Sequence, residues 1–75
     1  EKREVDFLVL RDRRPWLMVK CKSNDAAPSP HLIRFATALE VPLRFQLVDR
    51  PGFDRVYAEP RVRVLDPERF LAGLA

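Results

Sequence analysis

The sequence has few of the residues that usually build disulfides, zinc sites or phosphate-binding loops. Its 75 residues include one cysteine, one histidine and two glycines. A single cysteine cannot form an internal disulfide, which favours a reducing, cytoplasmic compartment. The one histidine has no second His or Cys at ligand spacing. Two isolated glycines also exclude a glycine-rich phosphate loop.

The chain also has no long hydrophobic run. No stretch approaches the ~20 apolar residues of a membrane span, and no signal peptide is visible, so we expect no membrane partner. Residues 1–75 make one domain at most. A domain this small buries only about 60% of its unfolded surface. We therefore expect a fragment or the C-terminal part of a longer chain, or a homodimer that completes the core.

Apolar residues predict two N-terminal strands. Residues 5–10 ("VDFLVL") and 16–22 ("WLMVKCK") are rich in β-branched and aromatic types. The first strand is apolar on both faces, which is typical of a strand buried on both sides. A five-residue turn, "RDRRP", closes the hairpin and would pair Leu10 with Trp16. Two faces are predicted on the second strand: Leu17, Val19 and Cys21 on one, and Trp16, Met18, Lys20 and Lys22 on the other.

The rest of the chain predicts a mixed α/β sheet. Ser29 is expected to cap a helix from Pro30 to about Glu40. The i, i+3, i+4, i+7 spacing predicts its buried stripe: Leu32, Phe35, Ala36 and Leu39. "VPLRFQLVD" is a third strand, joined in parallel to the second by the helical crossover. "RVYAE" and "RVRVL" are short strands, and Asp66 caps a C-terminal helix that begins at Pro67.

The hairpin brings acids and lysines together. The predicted register places Asp6 opposite Lys20 and Glu4 opposite Lys22, and directly opposed residues of an antiparallel pair share a face. An acid on one strand followed by acid-x-lysine on the next is the layout of magnesium-dependent nucleases. In that layout carboxylates hold the cation and the lysine orients the attacking water. These residues leave three interpretations open: an active metal site, the remains of one, or a structural ion pair.

Four segments resemble one family: "EVDFLV", the strand that ends in x-Lys-Ser, the "SPxLxxF" helix, and the "FQLVDRPG" strand and turn. Over roughly residues 3–72 the chain resembles the C-terminal domain of prokaryotic AAA-type ATPases of unknown function. That domain is similar to the PD-(D/E)XK nuclease fold. The resemblance implies a minimal restriction-endonuclease-like core and an ATPase domain upstream of Glu1.

The resemblance also implies roles for particular residues. Asp6 takes the aspartate position and Lys22 the lysine position, whereas Lys20 occupies the glutamate position. An ammonium in place of a metal-binding carboxylate implies lost nuclease activity and an ion pair between Lys20 and Asp6. Glu4 shares the Asp6 face but lies on the wrong strand to replace the missing acid. We therefore expect no cofactor, with Mg²⁺ only in the case of an active nuclease.

Arg11, Arg13 and Arg14 form the one tight basic cluster of a chain whose net charge is +3. Phosphate contacts by these arginines, together with Lys20 and Lys22, would make a nucleic-acid-binding domain. Charged turns also occur simply because turns face water. The sequence predicts a non-catalytic binding or assembly module. A Mg²⁺-dependent nuclease and a non-cleaving nucleic-acid-binding domain are the alternatives.

Overall fold

The described residues fold into a mixed five-stranded sheet with one helix on each face. A computed structural model describes residues 5–21, 27–58 and 61–74, and the side chains of 7–21, 27–58 and 61–73. Its elements, in chain order, are β1 (Val5–Arg11), β2 (Arg14–Cys21), α1 (Pro30–Ala38), β3 (Leu43–Leu47), β4 (Asp54–Tyr57), β5 (Val62–Leu65) and α2 (Pro67–Leu74).

The order of the strands in the sheet is β1-β2-β3-β5-β4. The three central strands β2, β3 and β5 run parallel, whereas β1 and β4 are antiparallel to their neighbours. This confirms the predicted α/β fold, with its antiparallel N-terminal hairpin, its helical crossover to a parallel strand and its C-terminal helix. It also makes β1 and β4 the outer strands of the described sheet.

The hairpin turn is tighter than the predicted five-residue loop. Asp12 and Arg13 alone connect β1 to β2, and their φ angles are 53° and 66°. Positive φ at both central positions defines the type I′ turn, whose twist matches that of the flanking strands. Arg11 and Arg14 therefore pair with each other at the ends of the strands, and Pro15 lies within β2.

A β-bulge next to this turn changes the predicted pairing. Val9 pairs with Leu17 but Leu10 pairs with Pro15, so Trp16 is the extra residue of β2. The predicted pairing of Leu10 with Trp16 is therefore wrong, because a bulge sets two residues of one strand against one of the other. Trp16 also leaves its predicted face and lines a groove beside α2.

Helix α1 begins where the sequence predicts. Ser29 is its N-cap, its Oγ accepts a hydrogen bond from the Leu32 N–H at 3.3 Å, and Pro30 occupies the first turn. The helix ends at Ala38, slightly before the predicted Glu40. Glu40 has a φ of 53° and follows the C-cap, as in a Schellman motif.

The buried stripe of α1 is only partly the predicted one. Leu32 and Ala36 are buried, but Phe35 and Leu39 are 46% and 43% exposed. Ile33 packs against the core in their place. The helix rests on β2 and β3 above a core formed by Met18, Leu32, Ala36, Val41, Val48, Val62 and Val64.

Strand β1 is not buried on both sides, as its composition predicted. Its described apolar side chains Phe7, Leu8, Val9 and Leu10 are 54%, 42%, 40% and 58% exposed. The reason is its place in the sheet. Because β1 is an outer strand of the described sheet and α1 rests on β2 and β3, the described elements leave both of its faces partly open.

Helix α2 lies on the opposite face of the sheet from α1. Phe70 meets the Phe45 ring edge-on, with ring centroids 5.2 Å apart. Leu71, predicted on the apolar side of this helix, is 64% exposed. The predicted cap is confirmed, because the Arg69 N–H donates to Asp66 Oδ1 at 2.8 Å.

Candidate functional site

The candidate site is a row of three positions across β1, β2 and β3. Asp6 pairs with Lys20, and Lys20 pairs with Gln46. The bulge lies beyond Val9, so it leaves the predicted Asp6–Lys20 pairing intact. The row lies near the carboxyl ends of the parallel strands β2 and β3, which is where open α/β sheets bind their ligands.

Two members of this row are buried polar residues. Lys20 is 3% exposed and Gln46 is 0% exposed. Gln46 Oε1 accepts a hydrogen bond from the Ser29 N–H at 2.8 Å, and Gln46 Nε2 donates one to the Ala27 carbonyl at 2.7 Å. Both ends of the amide therefore hold the segment that leads into α1. Gln46 was not among the predicted site residues. The one feature of the sequence that could have identified it is its position as a polar residue inside a mostly apolar strand.

The other predicted members of the site are only partly described. The backbone register places Asp6, but its side chain, Glu4 and Lys22 lie outside the described residues. The ion pair between Asp6 and Lys20, and the pairing of Glu4 with Lys22, therefore stay predictions. The fold does show that Asp6 and Lys20 are paired positions on neighbouring strands of the hairpin.

The described donors of this row do not fit a magnesium ion. Mg²⁺ requires oxygen ligands, usually carboxylates, in octahedral geometry. Lys20 supplies an ammonium, and the Gln46 amide oxygen already accepts the Ser29 N–H. Across 5–21, 27–58 and 61–74, no three His, Cys, Asp or Glu side chains gather in a group that could hold a metal.

A second polar feature lies at the opposite, amino-terminal edge of the parallel strands. The predicted cluster of Arg11, Arg13 and Arg14 is exposed at the hairpin turn. The starts of β3 and β5 lie at the same edge, because the turn leads into the start of β2 and β2, β3 and β5 run parallel. A cavity of about 300 Å³ opens there, lined by Pro42, Leu43, Arg44, Phe45, Val56, Arg61 and Arg63.

One arginine of this cavity already has an acidic partner. The Arg63 guanidinium donates two hydrogen bonds to the Asp54 carboxylate, at 3.0 and 2.7 Å. These bonds lower the pKa of Asp54 and raise that of Arg63. The cavity could not be predicted from the sequence, because its arginines come from segments that are distant along the chain. Only the sheet brings Arg44 and Arg61 together.

The face of the sheet that carries α2 is incompletely covered. It contains an apolar groove of about 450 Å³ between β1, β2 and α2, lined by Phe7, Val9, Trp16, Leu17, Val19, Cys21, Leu47, Pro67, Phe70 and Leu71. Leu17, Val19 and Cys21 share this face as predicted. Cys21 is half-buried at the groove wall, among apolar side chains.

Comparisons of this chain with models of protein families, with curated proteins and with solved structures each gave no match. The family resemblance therefore stays a prediction. Within the part of the chain that the structure describes, no helix is long and apolar enough to cross a membrane.

We expect the Asp66 carboxylate to make the fold sensitive to acid. Its carboxylate accepts the backbone N–H groups of Arg69 and Gly52, and these bonds lower its pKa. A lowered carboxyl pKa stabilises the fold above the unfolded pKa of about 3.9, and this stabilisation is lost as pH falls through the folded value. We expect Asp66→Asn to lower the melting temperature at pH 7. Near pH 3 the difference from the unmodified chain should shrink.

Circular dichroism melts at several pH values measure this difference. Asp49→Asn, at an exposed position in a nearby loop, is the matched control and should leave the acid profile unchanged. A difference between the Asp66→Asn and unmodified chains that is constant from pH 7 to pH 3 would contradict the prediction.

Proposed function

We propose that this chain is a non-catalytic binding and assembly module with a nuclease-like sheet. One observation supports this above the others. Lys20, at the position that the nuclease resemblance gives to a metal-binding glutamate, is 3% exposed and stands in register with Asp6 and Gln46. A buried ammonium at that point occupies the place of the missing carboxylate.

The electrostatics of this arrangement oppose a divalent cation. Two like charges a few ångströms apart repel strongly where water is scarce, because the interaction energy scales inversely with the dielectric constant. A cation beside Asp6 would lie within a few ångströms of the Lys20 strand position. The Gln46 amide adds no free carboxylate to offset this repulsion.

The context of the module is part of the same proposal. The sequence resemblance supports an association with an AAA-type ATPase, in which the sheet serves for binding or assembly. A cytoplasmic location is supported by the single cysteine, since disulfides are rare in that compartment.

The test restores the missing acid. Lys20→Glu places a carboxylate opposite Asp6 and should create an affinity for Mn²⁺ or Mg²⁺ that calorimetric titration detects, because both ions bind through carboxylate oxygens. The unmodified chain should give no heat on calorimetric titration with either ion and should not cleave plasmid DNA. Arg34→Glu is the matched control, because it makes the same charge change at an exposed site on α1.

Two results would refute the proposal. One is plasmid cleavage by the unmodified chain with Mg²⁺ that disappears in Asp6→Ala, which would identify an active nuclease. The other is equal metal binding by Lys20→Glu and Arg34→Glu, which would mean that the row does not form a metal site when the acid is restored.

A second candidate function is nucleic-acid binding without cleavage. It is favoured by the position of several arginines at one edge of the sheet. The turn arginines Arg11, Arg13 and Arg14 lie at the same end of the sheet as Arg44 and Arg61. Guanidinium groups gathered on one edge can contact successive phosphates, and each contact releases counterions.

This candidate predicts a salt-dependent affinity for DNA or RNA. Replacing Arg11 and Arg14 with alanine should weaken binding uniformly across sequences. It should also reduce the slope of log K against log salt by about 1 for each phosphate that is no longer neutralised. Fluorescence anisotropy with a labelled oligonucleotide at several salt concentrations measures both quantities. Arg34→Ala on α1 is the control. An unchanged slope in the double variant would rule out these arginines as phosphate ligands.

A further inference from the structure

We propose that β1 is a dimerisation strand, through which two copies of this chain join their sheets edge to edge in antiparallel fashion. The inference rests on the assembly role proposed above and names the partner as a second copy. It is independent of the Lys20 row. The two outer strands of the described sheet differ: β4 is short and charged, whereas β1 is longer and apolar. This difference identifies β1 as the strand that is open to pairing.

The outer strand β4 is protected against pairing. It is four residues long and begins with the charged pair Asp54 and Arg55, both exposed. Short and charged edge strands are the usual protection against unwanted pairing. Asp54 is in addition engaged by Arg63 on β5. This edge therefore presents charge where a new strand would have to bind.

The outer strand β1 has no such protection along its middle. It is seven residues long, and its central positions 7–10 are Phe, Leu, Val and Leu. Among the described strands it has a neighbour on one side only, so the other side presents backbone donors and acceptors. An exposed apolar edge of this length is a template for strand addition.

Both faces of β1 are exposed, and this favours a strand over a helix as its partner. Phe7 and Val9 line the groove beside α2. Leu8 and Leu10 alternate with them and are 42% and 58% exposed on the other face. A helix laid in the groove would cover only Phe7 and Val9. A strand added at the edge would place side chains beside both faces.

The strand is complementary to itself. In an antiparallel pair centred on Leu8, Leu8 meets its own copy and Phe7 lies opposite the partner subunit's Val9. Asp6 then falls opposite the partner subunit's Leu10, near the ends of the pairing. An isologous contact of this kind satisfies two-fold symmetry, which requires one patch to fit itself. The two Arg11 residues would lie about 20 Å apart, beyond the screening length at physiological salt.

The area available agrees with a reversible dimer. The four apolar residues of β1 are 54%, 42%, 40% and 58% exposed, so an edge-to-edge contact buries less than the roughly 1,000 Å² of a standard specific interface. A contact of that size is weak and transient. We therefore expect a dissociation constant in the micromolar range or weaker rather than a permanent dimer.

A cysteine at the symmetry axis tests both the pairing and its register. In a Cys21→Ala background, Leu8→Cys should form a disulfide-linked dimer under mild oxidation, because opposed Cα atoms in antiparallel strands lie about 4.5–5.5 Å apart. Leu10→Cys is the matched control, since the two copies of that residue would lie about 13 Å apart and should not link.

Sedimentation equilibrium of the unmodified chain provides the second measurement. It should show a concentration-dependent dimer that Leu8→Glu abolishes and that Val56→Glu, at a 53% exposed position on β4, does not. A monomer at every concentration, or equal cross-linking of Leu8→Cys and Leu10→Cys, would overturn the proposal. Neither result would alter the metal titration of Lys20→Glu, so failure of the dimer and failure of the non-catalytic function are distinguishable.

Discussion

Replacing Gln46 with leucine is expected to destabilise the fold by about 3 kcal/mol. Gln46 is fully buried, and its amide oxygen accepts the Ser29 N–H at 2.8 Å. Leucine has no acceptor, so the buried N–H would lose its partner, and an unsatisfied buried donor costs about 1–3 kcal/mol. The Ala27 carbonyl would lose the Nε2 donor as well, although Ala27 is exposed and water can replace that bond.

Urea denaturation followed by circular dichroism measures this loss. The control is Ser29→Ala, which removes the side-chain cap of α1 but keeps the backbone N–H that Gln46 accepts. Loss of an N-cap hydroxyl costs about 1 kcal/mol, so Ser29→Ala should be clearly more stable than Gln46→Leu. Equal stability of the two variants would mean that the Gln46 amide does not anchor the segment before α1.

Truncating Leu32 to alanine should have an effect of similar size, about 3 kcal/mol. Leu32 is 2% exposed and lies in the core between α1 and the sheet. Deleting a buried leucine side chain removes its transfer free energy and leaves a cavity, at about 2–5 kcal/mol in total. A domain of this length has on the order of 4–11 kcal/mol of stability, so the loss is a large share.

Phe35→Ala is the matched control for Leu32→Ala on the same helix. Phe35 belongs to the stripe predicted from helical spacing, but it is 46% exposed and its described ring contact is with His31, at a centroid distance of 4.8 Å. We expect a loss of about 1 kcal/mol or less, because little apolar surface returns to water. A larger loss of stability for Phe35→Ala than for Leu32→Ala in the same urea series would contradict the observed orientation of α1.

The case of α1 explains why its boundaries were predictable and its orientation was not. Ser29 and Pro30 specify the start of the helix by local chemistry, since an N-cap hydroxyl and a proline act within one turn. Two apolar stripes were available to it, both containing Leu32 and Ala36. The choice of Ile33 over Phe35 depends on how the helix packs on the sheet. Gln46, which is distant in sequence, is one of the residues that hold the helix there, because it accepts the Ser29 N–H.

The hairpin shows the same division between local and distant causes. The alternation of side chains along β1 and β2 was enough to predict that Asp6 pairs with Lys20. Side chains alternate between the two faces of a strand, so the pairing at one position determines the pairing at the others. The pairing near the turn was wrong by one residue. A two-residue turn with positive φ at Asp12 and Arg13 contains no glycine, so the usual sequence signal for a type I′ turn was absent.

The sequence by itself determined the order of the elements, their caps and the pairing of Lys20 with Asp6. These depend on residues that are close along the chain, or on a period that one strand carries. The tertiary structure alone decided that Gln46 joins the row, that arginines from three segments share an edge, and that β1 is exposed on both faces. Each of these depends on which strands become neighbours and which remain outermost, and that is decided by packing between distant segments.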